Sequence, residues 1–297
     1  DGISSLTFSL NGGPQQDLSV GPDRRRLWED GDFNVEIDFA DLNDGANNVL
    51  ITATDRTGRV STRDVVVNFP SGQLWPLPFA IDWSNVGDLQ SVAQIVDGEW
   101  TLEADALRAP TMGYDRVIAF GDAGWTSYEV TATITLLDLD PAGYQWPSVS
   151  PGFGITLRWP GHSDNPVVCP QPHCGWLPAG GGFWYDAGND GPLALWGDLG
   201  FYRTRGLTIP YDAPHVFRIR VQDNPNGGSD YAVKVWPAGA PEPGDWDLTG
   251  TEPPGDVPGG AFILIAHHVD LRVGDVNVVP LGDPADPVIS NVQVAVA

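Results

Sequence analysis

The feature that most constrains this chain is an apolar–polar alternation of period two, repeated in short segments with turn residues between them. Residues 127–134, 154–159, 215–220 and 231–236 carry an aliphatic or aromatic side chain at every second position. Successive side chains of a strand point to opposite faces, so each segment predicts a strand with one buried and one solvated face. No long stretch keeps the 3.6-residue period of an amphipathic helix, and helix is expected only as single turns. With 36 Gly and 27 Pro to turn the chain at short intervals, the reading is an all-β, antiparallel protein.

At 297 residues there is room for two domains. Residues 1–70 read as a small sandwich, with alternating segments at 5–10, 33–39, 48–55 and 62–69. Pro70, Pro76 and Pro78 mark a boundary, because proline withholds a ladder donor and holds the chain extended. Residues 71–282 read as a larger unit that opens with the segments 79–84 and 96–103 and closes at 273–278. Residues 283–297 read as a linker leading into the first strand of a further module. The start at Asp1, with neither an initiator methionine nor a signal segment, is expected of a mature or excised fragment.

The stretch from Gly45 to Thr62 resembles the last hairpin of the bacterial immunoglobulin-like modules that occur in tandem on secreted and surface proteins, which implies a spacer. The opening and closing of the larger unit resemble the laminin-G-like, concanavalin-like jelly rolls of bacterial extracellular proteins, without any diagnostic active-site signature. Together they imply an immunoglobulin-like sandwich followed by a concanavalin-like antiparallel jelly roll, secreted or on a bacterial cell surface.

The formal charge of −24 comes from 32 Asp and 7 Glu against 14 Arg and one Lys, Lys234. Such a field repels nucleic acid and anionic membranes, and excludes both as partners. No apolar run approaches the roughly 20 residues of a membrane helix, so membrane insertion is not expected. High Asp with almost no Lys fits a halotolerant extracellular protein, although a GC-rich genome also favours Arg over Lys. The expected partners are a polysaccharide and further modules of the same polypeptide, with the chain itself a monomer.

The few cations fall on the solvated parity. Arg158 alternates with Ile155 and Leu157, Arg218 and Arg220 with Phe217 and Ile219, and Lys234 and Trp236 with Val233 and Val235. The Asn224–Gly228 turn makes the strands of Arg218 and Lys234 hairpin neighbours. Neighbouring like charges repel, so a shared face predicts an anionic partner. Sugar C–H faces pack on aromatic planes, and guanidinium groups pair with carboxylate or sulfate. Trp176, Trp184 and Tyr185, from the Gly- and Pro-rich stretch between Gly161 and Gly191, are expected to rim this surface, whereas Trp83, Trp100 and Trp125 read as core. If residues 261–270 form one strand, His267 and His268 point to opposite faces; one of them, His268 in the ligand set, joins the cations. The plain alternative is a charged sheet face turned to water.

A jelly-roll hydrolase needs carboxylates grouped on one strand face, roughly 5 to 5.5 Å apart, as in a Glu-x-Asp-x-x-Glu run. The chain has no such run, and Glu36, Asp38, Glu99 and Glu103 read as solvated charges. A lyase needs a Tyr or His to move the proton and an Arg, Asn or Gln to neutralise the uronate carboxylate. His162, Tyr185, His267, His268 and Arg158 are the candidates. The first reading is a secreted module that binds an acidic polysaccharide; the alternatives are a polysaccharide-cleaving enzyme on the same jelly roll and a structural adhesive array.

The jelly-roll resemblance also implies a structural Ca2+ that ties the first strand to the last, with Asp82, Asp88 and Asp275 where carboxylate ligands belong. Against this, Asp in turns caps backbone amides. Cys169 and Cys174, the only cysteines, are expected to form a disulfide closing a small loop; a zinc site with His162 and His173 is the rival.

Overall fold

In the computed structural model, which describes residues 2–23, 26–27, 29–70, 72, 75–143, 150–162, 177–189 and 191–282 (Phe39 by its backbone alone), the alternating segments form antiparallel strands. Four belong to the N-terminal unit: β1 (Ile3–Leu10), β2 (Gln16–Asp17), β3 (Gly45–Asp55) and β4 (Val60–Phe69), in the order β2-β1-β3-β4. Leu6, Phe8, Leu18 and Val49 form its buried apolar cluster. The described residues form one sheet here, not the two facing sheets of an immunoglobulin-like sandwich. The strand expected at 33–39 is irregular, although Val35 and Ile37 pack on this core. The segment packs on the apolar cluster of the sheet without joining a ladder.

The rest of the chain continues with β5 (Phe79–Ile81), β6 (Gln94–Asp97), β7 (Thr101–Leu102), β8 (Leu107–Ala109), β9 (Arg116–Phe120) and β10 (Tyr128–Leu139). After these come β11 (Gly152–Trp159), β12 (Gly181–Asp186), β13 (Leu193–Gly197), β14 (Tyr202–Arg205) and β15 (His215–Asp223). The last four are β16 (Ser229–Pro237), β17 (Leu248–Glu252), β18 (Ala261–His267) and β19 (Val269–Pro280). An eight-stranded sheet runs β17-β16-β15-β10-β19-β8-β7, with β5 also on β19, and a seven-stranded sheet runs β14-β13-β12-β11-β18-β9-β6. Every pairing is antiparallel, and the two sheets face each other across one core as a jelly-roll sandwich. Among the described residues no helix is long and apolar enough to cross a membrane.

The inward parity fills that core. Phe183 of the seven-stranded sheet stacks on Phe217 of the eight-stranded one, with centroids 5.0 Å apart and planes at 11°, and Phe153 meets Phe217 edge-on at 5.4 Å. Trp83, Trp100 and Trp125 are buried, with their indole N–H groups donating to the carbonyls of Gly274, Asp97 and Trp75. Each indole therefore removes a large apolar area from water and leaves no buried donor unpaired.

Residues 261–270 are two strands, not one. His268, at φ +52°, makes the corner between β18 and β19, a left-handed position that costs energy for a residue with a side chain and reverses the facing of the side chains after it. Strict alternation across the two histidines therefore fails. Their rings meet edge to face, 4.5 Å between centroids.

Candidate functional site

The expected cationic face divides between the two sheets. Arg218, Arg220, Lys234 and Trp236 lie on the outer face of the eight-stranded sheet, where Arg218 pairs in register with Lys234. Their anionic partner is the chain itself. Glu242 reaches Arg218 Nη1 at 2.7 Å and Lys234 Nζ at 2.5 Å, Glu129 stands 3.4 Å from Arg218 Nε, and Lys234 also donates to the Pro243 carbonyl. Trp246 lies against Arg220 and Lys234, and Trp236 against Arg218 and Lys234, at cation–π distances of 4.6 to 5.9 Å. The segment that carries Glu242 and Trp246 thus pairs a carboxylate with Arg218 and Lys234 and lays an indole against Arg220 and Lys234. The hydrogen bond from Lys234 holds the Glu242 carboxyl below the usual carboxylate range. Glu242→Gln is expected to cost about 1 kcal/mol at low salt and to remove the salt sensitivity of that contribution, checked by urea unfolding at two ionic strengths.

Arg158 does not belong to that face. It has φ +53° within a bulge, where Thr156 pairs with Ile263 but Trp159 pairs with Ala261, so its side chain turns into the end of the sandwich. The guanidinium is 1% exposed and donates to Asp223 at 2.6 Å, to Ser229 at 2.7 Å, and to the carbonyls of Thr126 and Val257; Asp256 lies 3.4 Å away. Tyr231 donates to Asp256 at 2.7 Å, and burial pushes its hydroxyl upward in pKa. Tyr185, expected at the rim, is core: it is 1% exposed and accepts the Ile209 N–H at 2.9 Å. These side chains are interior and tie strands of the sandwich together.

The remaining candidate is the outer side of the seven-stranded sheet, where Trp184 is half-buried and His267 is 1% exposed. There β11 presents Gly152 and Gly154 between Trp184 of β12 and His267 of β18, with Trp184 in register with Gly154 and His267 with Gly152. The indole lies across the two glycines so closely that a Cβ at Gly152 or Gly154 would come within 3.0 or 3.1 Å of it. Its ring centroid is 6.2 Å from that of His267. His267 Nδ1 is 2.8 Å from Asp115 Oδ1, which fixes the ring, and Tyr114 stands edge-on at 5.2 Å. Val117, Ala119, Trp159, Ile263 and Ile265 form a buried apolar group on this face, with Val96 and Trp184 against it. His162 lies edge-on to Trp159 at 5.3 Å.

Behind His267 lies a buried charged group. Arg116 fills a slot between Gly98 and Gly113, where a Cβ would fall 2.0 and 2.3 Å from its side chain, and its Nη1 is 3.8 Å from Asp97. Burial pushes the Asp97 carboxyl up to about 7, against the pull of Arg26 and Arg116. Burial, reinforced by His267, depresses His268 to about 4, although Asp140 stands 3.8 Å from it.

Of the expected site residues, then, Trp184 and His267 lie on this side of the sheet with His268 at its corner, both histidines buried; Arg218, Arg220, Lys234 and Trp236 share the other side, and Arg158 and Tyr185 are interior. Trp176, Cys169, Cys174 and His173 lie outside the described residues. Tyr114, Asp115, Glu242 and Trp246 were not foreseen. Asp115 meets His267 across 152 positions of sequence, which no local pattern signals, whereas a glutamate between two prolines soon after Lys234 is a signal that could have been read.

The carboxylates expected to bind calcium serve as caps. Asp82 accepts the N–H and hydroxyl of Ser84 and the Asn85 amide, Asp88 accepts the Gln90 N–H, and Asp275 accepts the Trp83 N–H. Among the described residues no three His, Cys, Asp or Glu side chains converge as a metal set requires. These three aspartates do not fit a Ca2+ site.

No protein-family model matches the chain, and no curated protein matches it. Among solved structures it is similar to the VIP36 exoplasmic/lumenal domain in its Ca2+/Man2-bound form, at 12% identity and a TM-score of 0.44 over 70% of this chain and 90% of that one. It is also similar to the alginate lyase Aly36B, at 12% identity and a TM-score of 0.40 over 70% and 99% of the two chains. A third is a protein of unknown function with a galectin-like fold from Bacillus subtilis, at 11% identity and a TM-score of 0.35 over 65% and 92%. The likeness is confined to the path of the chain.

Proposed function

We propose that this chain handles a polysaccharide, binding it along the outer face of the seven-stranded sheet, as an extracellular bacterial protein. The observation that carries the reading is the Trp184 indole laid over Gly152 and Gly154 beside the oriented His267. A glycine floor lets an aromatic plane lie along a sheet, and sugar rings pack their C–H faces on such planes. The acidic polysaccharide expected from the cations has less support. Arg218 and Lys234 are already neutralised within the chain, and a charge of −24 opposes a polyanion, so a neutral glycan is the better partner.

One observation favours a second reading, cleavage. His267 oriented by Asp115, with Tyr114 against the ring, is the kind of arrangement that moves protons in general acid–base chemistry. Incubation with neutral, uronic and sulfated polysaccharides separates the readings. Retention without new reducing ends supports binding; new ends indicate a hydrolase, and new ends with absorbance of unsaturated product a lyase. Trp184→Ala is expected to weaken retention roughly thirtyfold, the effect of removing an aromatic anchor worth about 2 kcal/mol, measured under conditions where circular dichroism shows the variant folded. Full retention by this variant removes the face from consideration.

A further inference from the structure

We infer that the N-terminal unit is a working part of the glycan face rather than a spacer, and that Arg26 is the positioning residue that couples them; this deepens the reading above and rests on it. Arg26 belongs to the irregular stretch between β2 and β3, yet its side chain is 5% exposed because it is held by the other unit. Nε lies 3.2 Å from Asp97 Oδ2, and Nη2 donates to the Val96 carbonyl at 2.9 Å. Glu36, from its own unit, closes on Nη1.

The grip falls on β6, the edge strand of the sheet that carries Trp184 and His267. Val96 packs into the apolar group beneath Trp184, and Asp97 faces Arg116. The residue before Arg116, Asp115, holds His267. A guanidinium from the first unit therefore ends a continuous line, Arg26 to Asp97 to Arg116, whose next backbone neighbour orients the ring on the site. Burying such a charge is costly unless it is paired and hydrogen-bonded at fixed geometry, and Arg26 is both. A unit that only separated its neighbours would have no reason to place a buried arginine there. The planar, multi-donor fork also holds the acidic side chain and the carbonyl together, which a lysine could not do.

The test uses the full chain and the variant Arg26→Met, with Arg59→Met, an exposed arginine of the same unit, as control. Side-chain NMR of His267 and of the Trp184 indole is recorded without ligand, and retention is measured on the polysaccharide that the wild type binds. Arg26→Met is expected to move both sets of signals and to weaken retention roughly two- to thirtyfold, the range of measured site-to-site couplings, while Arg59→Met changes neither. If the wild type retains no polysaccharide but Arg26→Met moves the signals, the glycan reading fails and the coupling stands. If the wild type binds and Arg26→Met leaves the signals unmoved, whatever its retention, the coupling is overturned and the glycan reading stands. Should Arg26→Met fail to fold by circular dichroism, Arg26→Gln, which keeps a donor for the Val96 carbonyl, is read in the same way.

Discussion

Arg158→Met is expected to cost roughly 3–5 kcal/mol of unfolding free energy, the penalty of breaking a buried ion pair from one side. The guanidinium is the cation beside Asp256, whose side chain is 3% exposed, and it ties β11 to Ser229 of β16 and to the carbonyls of Thr126 and Val257. Removing it leaves a buried carboxylate without its cation and two carbonyls without this donor. Arg158→Lys is expected to recover only part of the loss, since a single ammonium cannot reach all these acceptors from one position. Urea unfolding of both variants is the measurement. A midpoint for Arg158→Met within experimental error of the wild type would falsify the assignment of Arg158 as a structural arginine.

The second large effect is a pair of opposed titrations. Asp97 is raised from 3.8 to about 7 by burial, so its contribution to stability is complete below about pH 3.8 and is lost as pH rises through 7. His268 is depressed from 6.5 to about 4, so its contribution is complete above pH 6.5 and is lost as pH falls through 4. Between pH 4 and 6.5 the two slopes have opposite sign and nearly cancel in the wild type. Each variant exposes the other slope. Relative to wild type, Asp97→Asn is expected to gain about 1.4 kcal/mol of stability per pH unit as pH rises through this window, and His268→Gln to lose about as much. Unfolding midpoints at pH 4.5, 5.5 and 6.5 provide the check, and parallel curves for the three proteins would rule out both buried titrations.

The strands were legible in the sequence because alternation is a local consequence of backbone geometry. The segments at 5–10, 215–220 and 231–236, and that at 127–134 from Tyr128 on, lie in strands, and the inward parity of Phe217, Ile219 and Val233 is the core. The two failures of parity have one cause. Arg158 and His268 both occupy left-handed backbone positions, at a bulge and at a strand corner, and a single residue there turns its side chain away from the face that counting assigns. Nothing local distinguishes them, because the strain is held by contacts far along the chain, such as Tyr128 accepting the Arg158 N–H and Gly143 packing against His268.

The candidate site was half legible for a related reason. Composition and parity identified Trp184, the histidines and a clustered set of cations, all properties of residue type and spacing. Which of them could meet a ligand depended on which sheet each strand joined, and on what lay over it. The strands of Arg218 and Lys234 joined one sheet and those of Trp184 and His267 the other, so side chains expected on one surface stand on opposite sides of the sandwich. Glu242 then supplied from within the chain the anion that the cations had been expected to find in a partner. Strand periodicity arises from the backbone of each segment alone; sheet membership, burial and charge pairing arise from contacts across the chain, and only the tertiary structure decided those.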